Sequence, residues 1–192
     1  MAIVHFKRFR MEVDLRRSMP RAELPKGYVW SGWHTSLCEQ HATAKFHSFQ
    51  GERDTELFPC LGVLDGCRDL MKEIAQHPSF VPQATWLIRF VANEFTGPIP
   101  VATVQGLQST RYFGAIQNIG VCRLHRGAGL GRALLLKSLA GFQAAGMQLV
   151  SLEVTAKNTP AVKLYQSIGF KVVKTSYRRA EVPDLYPAQA QG

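Results

Sequence analysis

One stretch constrains the fold more than any other: Arg126-Gly127-Ala128-Gly129-Leu130-Gly131-Arg132. A β-type run, Phe113–Val121, leads into it, and a helical run, 130–145, leaves it. Glycine at alternate positions removes the side chains that would hold a ligand away from the backbone. The first N–H groups of a helix have no intrahelical partner, and the helix dipole adds partial positive charge there. Arg126 and Arg132 bracket the turn with guanidinium groups suited to phosphate. The stretch reads as a cradle for pyrophosphate; a glycine-rich turn without a ligand is the competing reading of the motif taken alone.

The rest of the chain supplies elements around that turn. Phe9, Met11, Val13 and Leu15 alternate with Arg10, Glu12 and Asp14, the period of a half-buried strand. Pro20, Pro25 and Lys26-Gly27 then break regular structure before Tyr28-Val29-Trp30. A helix over about 35–49 carries a mediocre stripe of Leu37, His41, Ala44, Lys45 and Ser48. A second has Leu61, Leu64, Cys67, Leu70, Met71 and Ile74 at helical spacing and stops before Pro78, with a polar loop over 50–54 between the two. Strands are expected at 85–92, 100–107 and 112–121. After the glycine turn and its helix come a strand at 149–155, a helix at 159–167 and a strand at 170–177. This order predicts an α/β fold with a mixed sheet in one domain, 1–192, whose tail, 183–192, is expected to fray.

Bulk properties narrow the function. Hydrophobic residues at 46% and charged residues at 19% are globular values and exclude disorder. A net charge of +9 calls for a polyanionic partner, whether nucleic acid, a membrane surface or a cofactor, or serves solubility alone. Acidic residues interrupt the basic N-terminal region, so no long basic arm exists and the cofactor is favoured over nucleic acid. Cys38, Cys60, Cys67 and Cys122 form no Cys-x-x-Cys pair, have no histidine at zinc spacing, and read as small hydrophobes in a reducing compartment. With no signal-like start and no apolar run near ~18 residues, a cytoplasmic protein is expected, with no metal and no membrane contact.

Two familiar glycine motifs do not fit. A dinucleotide fingerprint needs a small residue where Arg132 stands, and a nucleoside-triphosphate loop needs Gly-Lys-Ser/Thr, which is absent. What remains is Val121, four residues, then Arg126-Gly127-x-Gly129-x-Gly131 and an amphipathic helix. This pattern resembles the acetyl-CoA motif of the GCN5-related N-acetyltransferase (GNAT) family. A second signature of that family, Asn, Ala, Leu-Tyr and Gly-Phe, is matched by Asn158, Ala161, Leu164-Tyr165 and Gly169-Phe170. The resemblance is strong over about 85–177 and extends over 1–84 only in the order of elements.

The resemblance implies an acyl-CoA N-acyltransferase fold: a central mixed, mostly antiparallel sheet flanked by helices, splayed at the strand before the glycine turn. Residues 1–84 would then hold the N-terminal strand and acceptor-side helices, and 85–182 the cofactor-binding core. Gly120 would let the strand bend, Ile119 and Val121 would offer backbone partners to the pantetheine arm, and the Val121 N–H would serve the oxyanion. Pyrophosphate would sit on the N–H groups of Arg126, Gly127, Gly129 and Gly131, beside Ala128, Leu130 and Arg132. Asn158 would fix the cofactor or its loop, with Ala161 beside it, or simply cap a helix. Tyr165 resembles the family's general acid. A phenol (pKa ~10) protonates a thiolate (~8.5) only uphill, so a hydrogen-bonding role or core packing beside Phe170 competes.

An alkylammonium must lose a proton before attack. Glu153 is the leading base, against a solvated strand residue, with Glu94 and His125 as further candidates. Gln117 and Asn118 are read as acceptor contacts or sheet polars, and Trp30, Trp33 and Trp86 as pocket walls or core. The implied activity is transfer of acetyl from acetyl-CoA to a primary amine of a small molecule or peptide, with a homodimer left open. The alternatives are a protein N-terminal or lysine acetyltransferase and a non-catalytic acyl-CoA sensor.

Overall fold

Strand β1 (Ala2–Asp14) alternates over its length, but each phase of the alternation is buried somewhere. Met11, Val13 and the following Leu15 enter the main core, while Phe6 and Arg8 are buried in the other phase, on the opposite face. The computed structural model describes residues 2–93, 95 and 97–182. The strands that follow are β2 (Tyr28–Gly32), β3 (Trp86–Phe90), β4 (Ile99–Thr110), β5 (Phe113–Val121), β6 (Leu149–Thr155) and β7 (Lys171–Val182). They form one seven-stranded sheet in the order β2-β3-β4-β5-β6-β1-β7. Every neighbouring pair is antiparallel except β5 and β6. The N-terminal strand thus lies between two C-terminal ones: Arg8 is opposite Thr155 on one side and Ser176 on the other.

Two strand expectations need correction. β1 begins at Ala2 rather than Phe9, because its first residues are held by a partner remote in sequence, from Ala2↔Val182 onward. β2 was not expected at all; its five residues are a strand because β3 pairs with them, Tyr28↔Phe90 to Gly32↔Trp86. In such short segments tertiary pairing outweighs local pattern.

The helices are α1 (Cys38–Phe49), α2 (Asp54–Leu57), α3 (Leu64–Gln76), α4 (Leu130–Ala144) and α5 (Thr159–Ile168). β4 is covered on both faces. Ala102 and Val104 join Leu134, Leu135 and Leu139 of α4 in the main core. Thr103 faces α1, whose His41 Nδ1 lies 2.8 Å from the Thr103 hydroxyl. The mediocre stripe of α1 is the face that packs, for His41, Ala44, Lys45 and Ser48 are all buried. Leu61, Ala42 and the α3 residues Cys67, Met71 and Ile74 build a second, smaller core. The loop expected over 50–54 gives way at Asp54 to the single turn of α2. Among the described residues no helix is long and apolar enough to cross a membrane.

The sheet opens before the glycine turn. β5 and β6 pair from Phe113↔Leu149 to Ala115↔Ser151 and, among the described residues, no further. In the β4–β5 ladder Gln105↔Asn118 is followed by Gly106↔Ile116, so Gln117 is an extra residue on β5. A bulge of this kind bends the strand that carries it. The bend had been ascribed to Gly120, yet Gly120 pairs in register with Thr103. A Cβ there would lie 2.6 Å from Ser48 Cβ and 3.2 Å from Phe49 Cε2, so this glycine admits α1 against the strand.

Candidate active site

Beyond the splay, β5 ends and the chain turns into α4 through glycines that no other residue replaces without strain. Gly127 and Gly129 have φ of 82° and 81°, and a Cβ on either would meet nothing within 4 Å. Their need for glycine is therefore backbone conformation on the protein side and open space on the other. Gly129 stands at the N-cap of α4, and no side chain caps that fifteen-residue helix. Its first N–H groups are left for a ligand. At Gly131 a Cβ would sit 3.4 Å from Leu164 Cδ2, an ordinary contact, so close approach does not demand glycine there.

The turn floors a cleft of about 820 Å³. Of the residues assigned to the cofactor from sequence, all but Ala128 line it: Ile119, Gly120, Val121, Arg126, Gly127, Gly129, Leu130, Gly131, Arg132, Asn158, Ala161 and Tyr165. Lys7, Arg53 and Lys157 add positive charge to its walls. The cradle of positive-φ glycines at an uncapped helix start, inside a basic cleft, fits a pyrophosphate-bearing cofactor.

Arg126 does not offer its guanidinium freely to phosphate. Its Nη1 donates to Glu52 Oε1 at 2.7 Å, Nη2 to the Ser48 carbonyl at 2.8 Å and Nε to the Val121 carbonyl at 3.0 Å. It ties the end of α1 to the end of β5. Arg132 reaches Ser167 Oγ at 3.1 Å, linking α4 to α5. Asn158 is the N-cap of α5, its side chain accepting the Ala161 N–H at 3.3 Å, while both residues line the cleft. His125 also lines it, but its Nδ1 is 3.0 Å from the Tyr28 hydroxyl, and burial lowers its pKa.

A second cleft, of about 520 Å³, opens on the other side of the splay and is lined by Gln117, Asn118 and Glu153 among others. Glu153 has a side chain 48% exposed and lies 3.8 Å from Arg8 Nη2. Tyr165 lines both clefts and packs on Phe170 with ring centroids 6.0 Å apart. Burial pushes its phenol far above the usual range; Asp54 pushes the same way and Arg8 opposes. Near neutral pH it is a hydrogen-bond donor. Trp30, Trp33 and Trp86 line neither cleft. Trp30 and Trp86 contact each other beneath Lys137, and Trp33 packs on His41 and Phe80. Glu94 lies outside the described residues.

Sequence reasoning missed a buried polar group between the clefts. Arg8, on β1, donates through Nη1 to Thr155 Oγ1 at 2.8 Å, and Asp54 Oδ1 accepts from Thr155 Oγ1 at 2.7 Å and from Arg8 at 3.5 Å. Burial lowers the Arg8 pKa, and the carboxylates of Asp54 and Glu153 restore part of it. The available signal was weak: one arginine next to Phe9 in a strand, and an aspartate in a polar loop.

A family model described as the Acetyltransferase (GNAT) family matches residues 38–170, more than half of the chain. The chain is 28% identical, over an alignment of 193 positions, to a protein from Thermobispora bispora named mycothiol acetyltransferase, covering 89% of this chain and 56% of that one. A crystal structure of a GCN5-related N-acetyltransferase from Sphaerobacter thermophilus superposes with a TM-score of 0.66 at 24% identity, covering 90% of this chain and 50% of that one. A tandem GNAT protein from the clavulanic acid biosynthesis pathway superposes with a TM-score of 0.54 at 16% identity, over 93% of this chain and 55% of its own. The chain thus spans about half the length of these relatives.

Proposed function

Because the chain belongs to the acetyltransferase (GNAT) family, we propose that it transfers acetyl from acetyl-CoA to a primary amine of a small molecule. The observation that carries the reading is the pair of clefts meeting at Tyr165, one of them floored by the glycine cradle. Acetyl-CoA supplies a thioester carbonyl open to attack by an amine. The N–H groups at the start of α4 hold its pyrophosphate, with Gly127 and Gly129 leaving the approach clear. The parted edge of β5 at Ile119 and Val121 receives the pantetheine arm, and the Val121 N–H is the donor for the developing oxyanion.

Tyr165 stays protonated and donates a hydrogen bond toward the leaving sulfur; its raised pKa makes full proton transfer costly. Glu153, on the wall of the second cleft, draws a cationic amine into it. The small-molecule assignment is supported by the 520 Å³ size of that cleft and by the name of the Thermobispora bispora relative. Four free cysteines suit a reducing compartment, and we place the protein in the cytoplasm on that ground.

Calorimetric titration with acetyl-CoA and coenzyme A, followed by thiol release against a panel of small amines, tests the reading. Micromolar binding with turnover on one amine class is expected. Absence of binding overturns the cradle, and binding without turnover on any amine points to a sensor.

A further inference from the structure

We infer that the Asp54 carboxylate is the group that meets the acceptor's ammonium and accepts its proton; this rests on the acetyltransferase reading above. Phe49, Asp54, Ile119, Asn158 and Tyr165 line both clefts and so form their shared wall. An acceptor lying in the second cleft has to bring its nitrogen to this wall to reach a thioester held in the first. Among the described residues Asp54 is the one carboxylate in it, for Glu52 borders only the first cleft and Glu153 only the second.

The local geometry presents one carboxylate oxygen and secures the other. Both hydrogen bonds to the Asp54 carboxylate among the described residues, from Thr155 at 2.7 Å and Arg8 at 3.5 Å, converge on Oδ1. Oδ2 carries no hydrogen bond to a side chain or backbone group among the described residues, and the side chain is 20% exposed. Arg8 is itself buried and bonded to Thr155, so β1, β6 and α2 together set the orientation of the carboxylate. Glu153 has no such support: it is the more exposed carboxylate, and Arg8 approaches it only to 3.8 Å. Of the charged and titratable groups, Arg8 of β1 and Tyr165 of α5 interact with Asp54, Glu153 of β6 and Arg178 of β7 share the second cleft with it, Lys7, Glu52, Arg53 and Lys157 share the first, and Glu56 lies beside it on the chain.

Two protons leave nitrogen before the amide is complete, and Asp54 takes the first. The ammonium first pairs with Oδ2 as a cation. Alkylammonium is weaker as an acid than a carboxylic acid by about six pKa units, so transfer of that proton to Oδ2 is an unfavourable pre-equilibrium. The neutral amine it leaves attacks the thioester carbon with its lone pair, which makes the nitrogen acidic; as the C–S bond breaks, the departing sulfur takes up the second proton, and Asp54 returns the first to solvent.

Asp54→Asn tests this with two kinds of amine, using thiol release from acetyl-CoA. With primary alkylamines, protonated at neutral pH, kcat/KM is expected to fall by about 10²–10⁴-fold, and the residual rate should climb with pH as free amine accumulates. With methoxyamine, unprotonated at neutral pH, the same variant should keep most of the wild-type rate. Asp54→Glu should recover part of the alkylamine activity, and Glu153→Gln should raise KM more than it lowers kcat. Equal losses with both amines would mean that Asp54 only supports the fold, and alkylamine turnover retained by Asp54→Asn would overturn the inference outright. Coenzyme A affinity, read by calorimetry, should match wild type in Asp54→Asn. If the wild type binds coenzyme A and turns over no alkylamine, both this inference and the transferase reading fall; if only Asp54→Asn is unaffected, the transferase reading stands.

Discussion

The two clefts are made in opposite ways. The cofactor side is built mainly from backbone: a bulged strand, a glycine turn and an uncapped helix start that follow one another within about twenty residues. The acceptor side is built from side chains gathered from distant parts of the chain: Arg8 from β1, Asp54 from α2, Gln117 from β5, Glu153 from β6 and Arg178 from β7. A backbone cradle recognises a group common to every use of the fold, and changing most side chains leaves it intact. A side-chain wall can be rewritten residue by residue, so under the proposed function specificity for the amine is expected to reside there.

The largest effect that separates the two sides is expected at the turn. Gly129→Val forces a β-branched residue to φ near 81° and puts methyl groups where the pyrophosphate approaches. Coenzyme A affinity should fall at least ~100-fold by calorimetry, which is about 2.7 kcal/mol. Near-native circular dichroism is expected, because among the described residues nothing beyond the neighbouring chain lies within 4 Å of the new Cβ. Unchanged affinity in the folded variant would remove pyrophosphate from the turn.

The next effect lies under the acceptor side. Lys45 of α1 is fully buried, its Nζ has no hydrogen-bond partner among the described residues, and burial lowers its pKa to about 7. A lysine that is neutral in the folded protein and protonated in the unfolded chain favours unfolding. That penalty is complete below about pH 7 and is relieved as pH rises toward the unfolded value of 10.5. Lys45→Met should therefore stabilise the protein by a few kcal/mol at pH 6 and by clearly less at pH 10. Thermal unfolding at both pH values measures it. An equal gain at both would show that packing, and not charge, is what the lysine costs.

The same contrast explains what could be read from the chain. Leu130 and Val121 flank a motif whose geometry is local, so strand, turn and helix were legible together with the cradle. Arg8 was not, because its partners Thr155 and Asp54 are 147 and 46 residues away, and nothing in a local window announces them. The α1 stripe was legible as a face but misleading as a property: His41, Lys45 and Ser48 look solvent-facing and are buried. At Gly120 the sequence suggests only a bend, and the approach of Ser48, which leaves no room for a Cβ, is a tertiary fact. At Tyr165 the motif singles out the residue, and burial beside Asp54, which only the fold reveals, raises its phenol pKa so that it holds its proton near neutral pH. Tyr165→Phe is accordingly expected to cost about 10-fold in kcat, with coenzyme A affinity unchanged, a smaller loss than removal of a true general acid.

Arg126 lines the first cleft and ties β5 to the end of α1, whose Phe49 borders both clefts, and its role is the finest test of the division. Its position at the head of the glycine motif suggests a phosphate ligand, yet three of its five donors are engaged by Glu52, Ser48 and Val121. As a strut it joins the acceptor-side helix to the cofactor strand. Half-exposed ion pairs contribute little, about 0–1 kcal/mol, and the two bonds to backbone carbonyls add to that. Arg126→Gln should lower Tm by a few degrees and weaken coenzyme A binding by less than threefold, with the loss insensitive to salt. A phosphate ligand would behave differently: affinity would drop tenfold or more, and the wild-type advantage would shrink as salt screens the charge. The strut also has a consequence across the division. Because it holds Glu52, two residues before Asp54, and Ser48, six before it, its removal should raise KM for the amine more than it weakens coenzyme A binding.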